Sequence, residues 1–174
     1  MPDTSLMDVS RSPDSLGECR ARGQIVRYRR SGAGRPLLLL HSPEDSAPLW
    51  PEVLEFLRSG FRLVVPDPPP RGTEAEAWLS ALLDGLGLSG VTVVASDEFC
   101  IAALERALLE PDRVARVIMV VRGRGSEAVV DGSIDSIPRL ASVPLLVLRR
   151  DRPAAEALPG VASFLERAGS VSGS

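Results

Sequence analysis

Buried strands alternating with amphipathic helices predict an α/β domain, a mainly parallel sheet with helices on both faces. Two observations carry this expectation. The stretch "RPLLLLH" (35–41) is a continuous apolar run, as a strand covered on both faces requires, and "VTVVA" (91–95) and "VARVIMVV" (114–121) read as further strands, the first of them buried. Between them, segments such as "TEAEAWLSALLDGLGL" (73–88) place apolar residues at helical spacing, with Trp78, Leu79, Leu82, Leu83 and Leu86 on one side.

The elements follow in order. Residues 1–16, acidic and rich in Ser and Pro, read as a flexible tail, and residues 170–174 as another. One domain, 17–169, lies between them. "CRARGQIVRYRRSGAG" predicts a short N-terminal hairpin, since Ile25, Arg27 and Arg29 alternate with Val26, Tyr28 and Arg30 between glycines. A strand over 35–41 precedes a helix over 48–60, in which Leu49, Val53, Leu54 and Leu57 share a face and Gly60 is the stop. "FRLVVPD" (61–67) is the next strand, and "PPPRG" the loop that ends it. The helix over 73–88 opens on a Thr73 cap and acidic first turn. The strand 91–95 leads into a helix over 98–110 that Pro111 closes, and then into the strand 114–121. A Gly-, Asp- and Ser-rich loop (122–142), with a turn of helix near 137–140, precedes a strand over 143–150 and a helix over 160–169.

Composition narrows the function classes. With 44% hydrophobic and 25% charged residues, the chain reads as globular rather than disordered. A net charge of −3 speaks against a nucleic-acid partner. All positive charge is arginine, with neither lysine nor asparagine, which reads as the coding bias of a GC-rich, bacterial genome. Cys19 and Cys100 are too few for a disulfide framework or zinc site and read as reduced thiols of a cytoplasmic protein. No apolar run nears the ~20 residues needed to cross a membrane. No phosphate-cradling glycine loop or ligand cluster is present, so neither a cofactor nor a metal is expected.

In such sheets, ligands sit beyond the C-terminal ends of the strands. Those ends carry His41 and Ser42, Asp67, Ser96 and Asp97, Arg122, and Arg149 to Arg152. A small-molecule ligand is expected there.

The order of segments resembles the α/β-hydrolase family. "GQIVRYRRSGAGRPLLLLHS…W" is similar to that family's opening hairpin, third strand, oxyanion loop and tryptophan-containing helix. "FRLVVPDPPPRG" resembles its next strand and Gly-containing turn, and "VTVVASDEFCIAALERALLEPDRVARVIMV" its elbow strand, elbow helix and following strand. "VPLLVLRRDRP" resembles the strand before the triad acid. The likeness spans residues 22–155 and implies an abbreviated α/β-hydrolase-like domain without a large cap, the cap reduced to a loop of about 20 residues.

The resemblance sets the nucleophile position on Asp97, with Ala95 and Phe99 at the two glycine positions of the elbow. The haloalkane dehalogenase and epoxide hydrolase branches use a carboxylate there, because attack on sp³ carbon gives an ester that water cleaves. The family's catalytic histidine follows its last strand, whereas His41 is the only histidine here and falls on the oxyanion loop. Asp97 therefore admits two readings, a nucleophile or general acid and a helix N-cap, with Glu98 beside it suiting the helix dipole or acid–base chemistry. Ser96 is a nucleophile only if the elbow slips by one residue. His41 is a general acid–base or a hydrogen-bonded structural group. Asp67 caps a turn or holds a ligand, Asp151 falls near the triad-acid position, and Cys100 reads as core packing. "RYRR" and "RRDR" are solvated faces or sites for an anionic ligand or acidic partner.

These departures make the expected function non-hydrolytic: a pseudoenzyme acting as a binding or scaffold subunit. The alternative is a small enzyme with an atypical site, either an Asp-nucleophile hydrolase or a cyclase or isomerase using acid–base residues. A sheet edge left open implies a homo-oligomer or a protein partner.

Overall fold

The computed structural model describes residues 14–43, 49–96, 99–122 and 142–167. Seven strands form one mixed sheet: β1 (Ser15–Ala21), β2 (Gln24–Ser31), β3 (Pro36–Leu40), β4 (Arg62–Pro66), β5 (Val91–Ser96), β6 (Val114–Val121) and β7 (Leu145–Arg149). Four helices connect them: α1 (Pro51–Gly60), α2 (Ala75–Leu86), α3 (Phe99–Leu109) and α4 (Ala154–Glu166). The strand order is β1-β2-β4-β3-β5-β6-β7. β1 and β2 form an antiparallel hairpin, β2 joins β4 antiparallel, and all other pairs are parallel.

Neighbouring residues of the central strands point to opposite sides of the sheet, and helices cover both sides. Leu38, Leu40, Val93, Ala95, Val117 and Met119 pack under α2 and α3, against Trp78, Leu79, Leu82, Leu83, Phe99 and Ala103. Leu37, Leu39, Val94, Ile118, Val120 and Leu148 pack under α1 and α4, against Val53, Leu57, Val161 and Leu165. Pro51 opens α1, where its missing N–H costs no bond, with Glu52 in the first turn and Arg58 in the last, as the helix dipole favours.

Three sequence boundaries move. β1 begins at Ser15, inside the stretch read as a tail. Its inward residues are small (Ser15, Gly17, Cys19 and Ala21), so no large apolar alternation announces the strand, while Leu16 is 83% exposed. The last helix begins at Ala154 rather than at residue 160 and runs through Pro159. That proline, in the second turn, removes the backbone donor to the Ala155 carbonyl, and Ala157, Val161 and Leu165 bury a stripe on both sides of it. Thr73 does not cap α2: its hydroxyl donates to the Pro70 carbonyl at 2.7 Å, and Glu74 takes the cap position without a side-chain bond. The turn expected near 137–140 lies outside the described residues.

α2 and α3 are tied by a charged side chain in an otherwise apolar layer. Arg106 on α3, with 11% of its side chain exposed, pairs with Glu76 on α2 and with Glu110 at 3.4 Å. Its Nε is buried without a hydrogen-bond partner. Removing one partner of a fully buried pair costs ~3–5 kcal/mol; Glu76 is 31% exposed, so Arg106→Ala is expected to cost about 2 kcal/mol in urea unfolding. Adding Glu76→Ala to that variant is expected to cost little more, because the stranded carboxylate disappears with it. Additive losses would show that the pair is not coupled.

Candidate functional site

The parallel strands end along one edge of the sheet, with His41 after β3, Asp67 after β4, Arg122 after β6 and Arg150 after β7. Asp97 and Glu98, at the turn between β5 and α3, lie outside the described residues. β5 is buried along its whole length, and Leu40 pairs with Ala95 across the β3–β5 ladder.

On the β5 side of the turn, Ser96 is 2% exposed and its hydroxyl donates to the Leu40 carbonyl at 3.5 Å. The side chain thus serves the sheet rather than the rim. On the helix side, Phe99 is 1% exposed and its ring meets Trp78 of α2 with centroids 5.5 Å apart and planes tilted by 49°. Cys100 is buried, and its thiol donates to the Ala95 carbonyl at 3.3 Å, linking the first turn of α3 back to β5. The turn is therefore followed by packed core residues of α3.

His41 is half-buried at the end of β3, with Nδ1 3.0 Å from the carbonyl of its neighbour Ser42. An imidazole bonded in this way is held in one orientation and donates from Nδ1, leaving Nε2 as the other ring nitrogen. The strand register brings His41 and Ser96 to neighbouring strand ends. Asp67 goes elsewhere. Its backbone N–H donates to the Arg27 carbonyl at 2.8 Å, extending the β2–β4 ladder by one residue. It lines a shallow cleft of about 380 Å³ with Glu18, Arg27, Pro68, Pro69, Pro70 and Trp78, on the hairpin side of the rim. The rim thus divides: His41, Ser42 and the turn of β5 at the centre, Asp67 toward the hairpin.

The far end of the rim is arginine-rich. Arg149 donates from Nε and Nη2 to the two carboxylate oxygens of Asp151, at 3.2 and 3.1 Å. This bidentate contact holds the Asp151 carboxyl below the usual range, so it faces an arginine rather than a histidine. Arg150 lies over the Trp50 ring, 5.5 Å from its centroid, and the Trp50 indole N–H donates to the Arg152 carbonyl at 3.1 Å. This tie between the start of α1 and the loop after β7 was not read from the sequence. The signals were the arginine run and the tryptophan, which only the topology sets side by side. Among the described residues, no three of His, Cys, Asp and Glu gather as a metal would require. No helix among them is long and apolar enough to cross a membrane.

No family model matches the sequence. Solved structures do match. Haloalkane dehalogenase DatA from Agrobacterium tumefaciens is 24% identical with a TM-score of 0.52, over 63% of this chain and 41% of that one. Carboxylesterase CesB from Bacillus subtilis is 20% identical with a TM-score of 0.53, over 63% and 43%. Epoxide hydrolase A from Mycobacterium thermoresistibile is 25% identical with a TM-score of 0.50, over 62% and 39%. The matched region spans about two fifths of the length of each of these structures. This likeness, together with the seven-stranded, mainly parallel sheet and its helices, gives the chain the α/β-hydrolase fold, in a shortened form relative to those structures.

Proposed function

We propose that the chain is a non-hydrolytic binding or scaffold subunit built on the α/β-hydrolase fold. The observation that supports this most is Phe99. An elbow holds its nucleophile in strained backbone and needs a small residue two positions on. Here that position carries a phenylalanine packed into the core against Trp78. His41 is the only histidine in the sequence, and it follows β3 rather than standing after the elbow helix.

The second reading is an enzyme with Asp97 as nucleophile. It is favoured by the likeness to structures described as haloalkane dehalogenases and epoxide hydrolases. Both readings meet in one assay, in which the wild-type chain and Asp97→Asn are given haloalkanes, epoxides and activated esters. We expect no turnover above the uncatalysed rate from either protein. Turnover by the wild type that disappears in Asp97→Asn would replace the binding reading with the enzymatic one.

A further inference from the structure

The cleft on the hairpin side of the rim has an apolar floor and a polar rim. Val26, Pro69 and Trp78 are its buried residues, and Glu18, Gln24, Arg27 and Asp67 stand exposed around them. Its volume of about 380 Å³ falls within the range of roughly 300–1,000 Å³ that small-molecule sites occupy.

One wall of the cleft is set before any ligand arrives. Pro68, Pro69 and Pro70 have φ fixed by their rings, and the loop they form is tied at both ends. At its start, the Asp67 N–H donates to the Arg27 carbonyl at 2.8 Å. At its end, the Thr73 hydroxyl and N–H both donate to the Pro70 carbonyl, at 2.7 and 3.2 Å. These bonds are what draw Thr73 away from the start of α2. A wall held in this way loses little freedom when a ligand docks against it.

The charges on the rim do not cancel. Arg27 donates from Nε to a carboxylate oxygen of Glu18 at 3.2 Å, so these two offset each other. Asp67 is the second carboxylate on the same rim, and no cation is paired with it among the described residues. The cleft thus sets one negative charge in excess above an apolar floor.

We infer that this cleft binds a small organic cation, an amine or guanidine carried on a short apolar chain. Its charge lies at Asp67, as a charge-assisted hydrogen bond, and its chain covers Val26, Pro69 and Trp78. An anion would be repelled by Asp67, and a neutral ligand would leave that charge uncompensated. The inference goes beyond the binding reading and is independent of Asp97. Cation binding and turnover are read in separate experiments, so either can fail alone.

The full chain is titrated with n-butylammonium chloride at fixed ionic strength and followed by ¹⁵N NMR, with 1-butanol and butyrate as controls. Saturable shifts are expected at the amides of residues 24–27, at the Asp67 amide and at the Trp78 indole N–H. The affinity should be millimolar, as so small a ligand permits. The neutral and anionic probes should bind at least about 5-fold more weakly. Asp67→Asn keeps the side-chain shape and the backbone bond to Arg27, and is expected to weaken cation binding about 5-fold. Arg27→Gln acts in the opposite direction. It releases Glu18 from its partner and should tighten cation binding about 2-fold, a gain that loss of folding could not produce. Absent shifts at these residues, or equal affinities for the three probes, overturn the inference. So does an affinity unchanged in both variants.

Discussion

Phe99→Ala is expected to lower the unfolding free energy by about 3–5 kcal/mol, the usual cost of truncating a fully buried phenylalanine. The ring is 1% exposed, meets Trp78 at a tilted angle, and belongs to the apolar layer that joins α2 and α3 to β5. Neither neighbour is free to collapse into the cavity: Trp78 is anchored in α2, and Cys100 is bonded back to Ala95. Urea unfolding followed by Trp fluorescence would show the midpoint falling with an unchanged slope. A loss below about 1 kcal/mol would mean that the turn after β5 accepts a small residue, as a working elbow does, and would weaken the non-hydrolytic reading. The measurement thus reports on stability and on the character of the site together.

The fold was legible because burial on both faces leaves a mark in sequence. Strands that are apolar at nearly every position, such as Pro36–Leu40 and Val117–Val121, stand out from helices that need only one apolar stripe. β1 left no such mark, since an inward face of Ser, Gly, Cys and Ala is set by the close approach of α2 and not by apolar volume. Pro159 misplaced the start of α4 for a different reason: a proline reads as a helix boundary, whereas the buried stripe of Ala157, Val161 and Leu165 carries this helix through it. The site was legible as a set of strand ends but not as a grouping. Asp67 turns toward the hairpin because β2 offers the Arg27 carbonyl to its N–H, a non-local bond that chain spacing cannot reveal. The Trp50–Arg150 contact is hidden in the same way.

Gly32→Ala is expected to cost about 2–5 kcal/mol, the sum of two effects that act at one residue. Gly32 follows β2 with φ at +75°, a left-handed conformation that carries a strain of ~1–3 kcal/mol in a residue with a side chain. A Cβ there would also overlap the backbone carbonyl oxygens of Phe61 and Arg58, at the end of α1. These are main-chain atoms held by the helix and by the start of β4, so they yield less readily than the tip of a side chain. Gly23, in the tight turn between β1 and β2, separates the two effects: its φ is +76°, but a Cβ would meet nothing within 4 Å. Gly23→Ala should therefore show the strain alone, roughly 1 kcal/mol. Equal losses in the two variants would place the whole cost in the backbone conformation. A larger loss at Gly32 would locate the remainder where the hairpin locks onto α1, the contact that fixes the antiparallel β1–β2 pair beside the parallel strands. Because that junction lies against the last turn of α1, a weakened Gly32 variant should also expose the amides at the Arg58–Phe61 end of α1 to hydrogen exchange before the β5–β6 core opens.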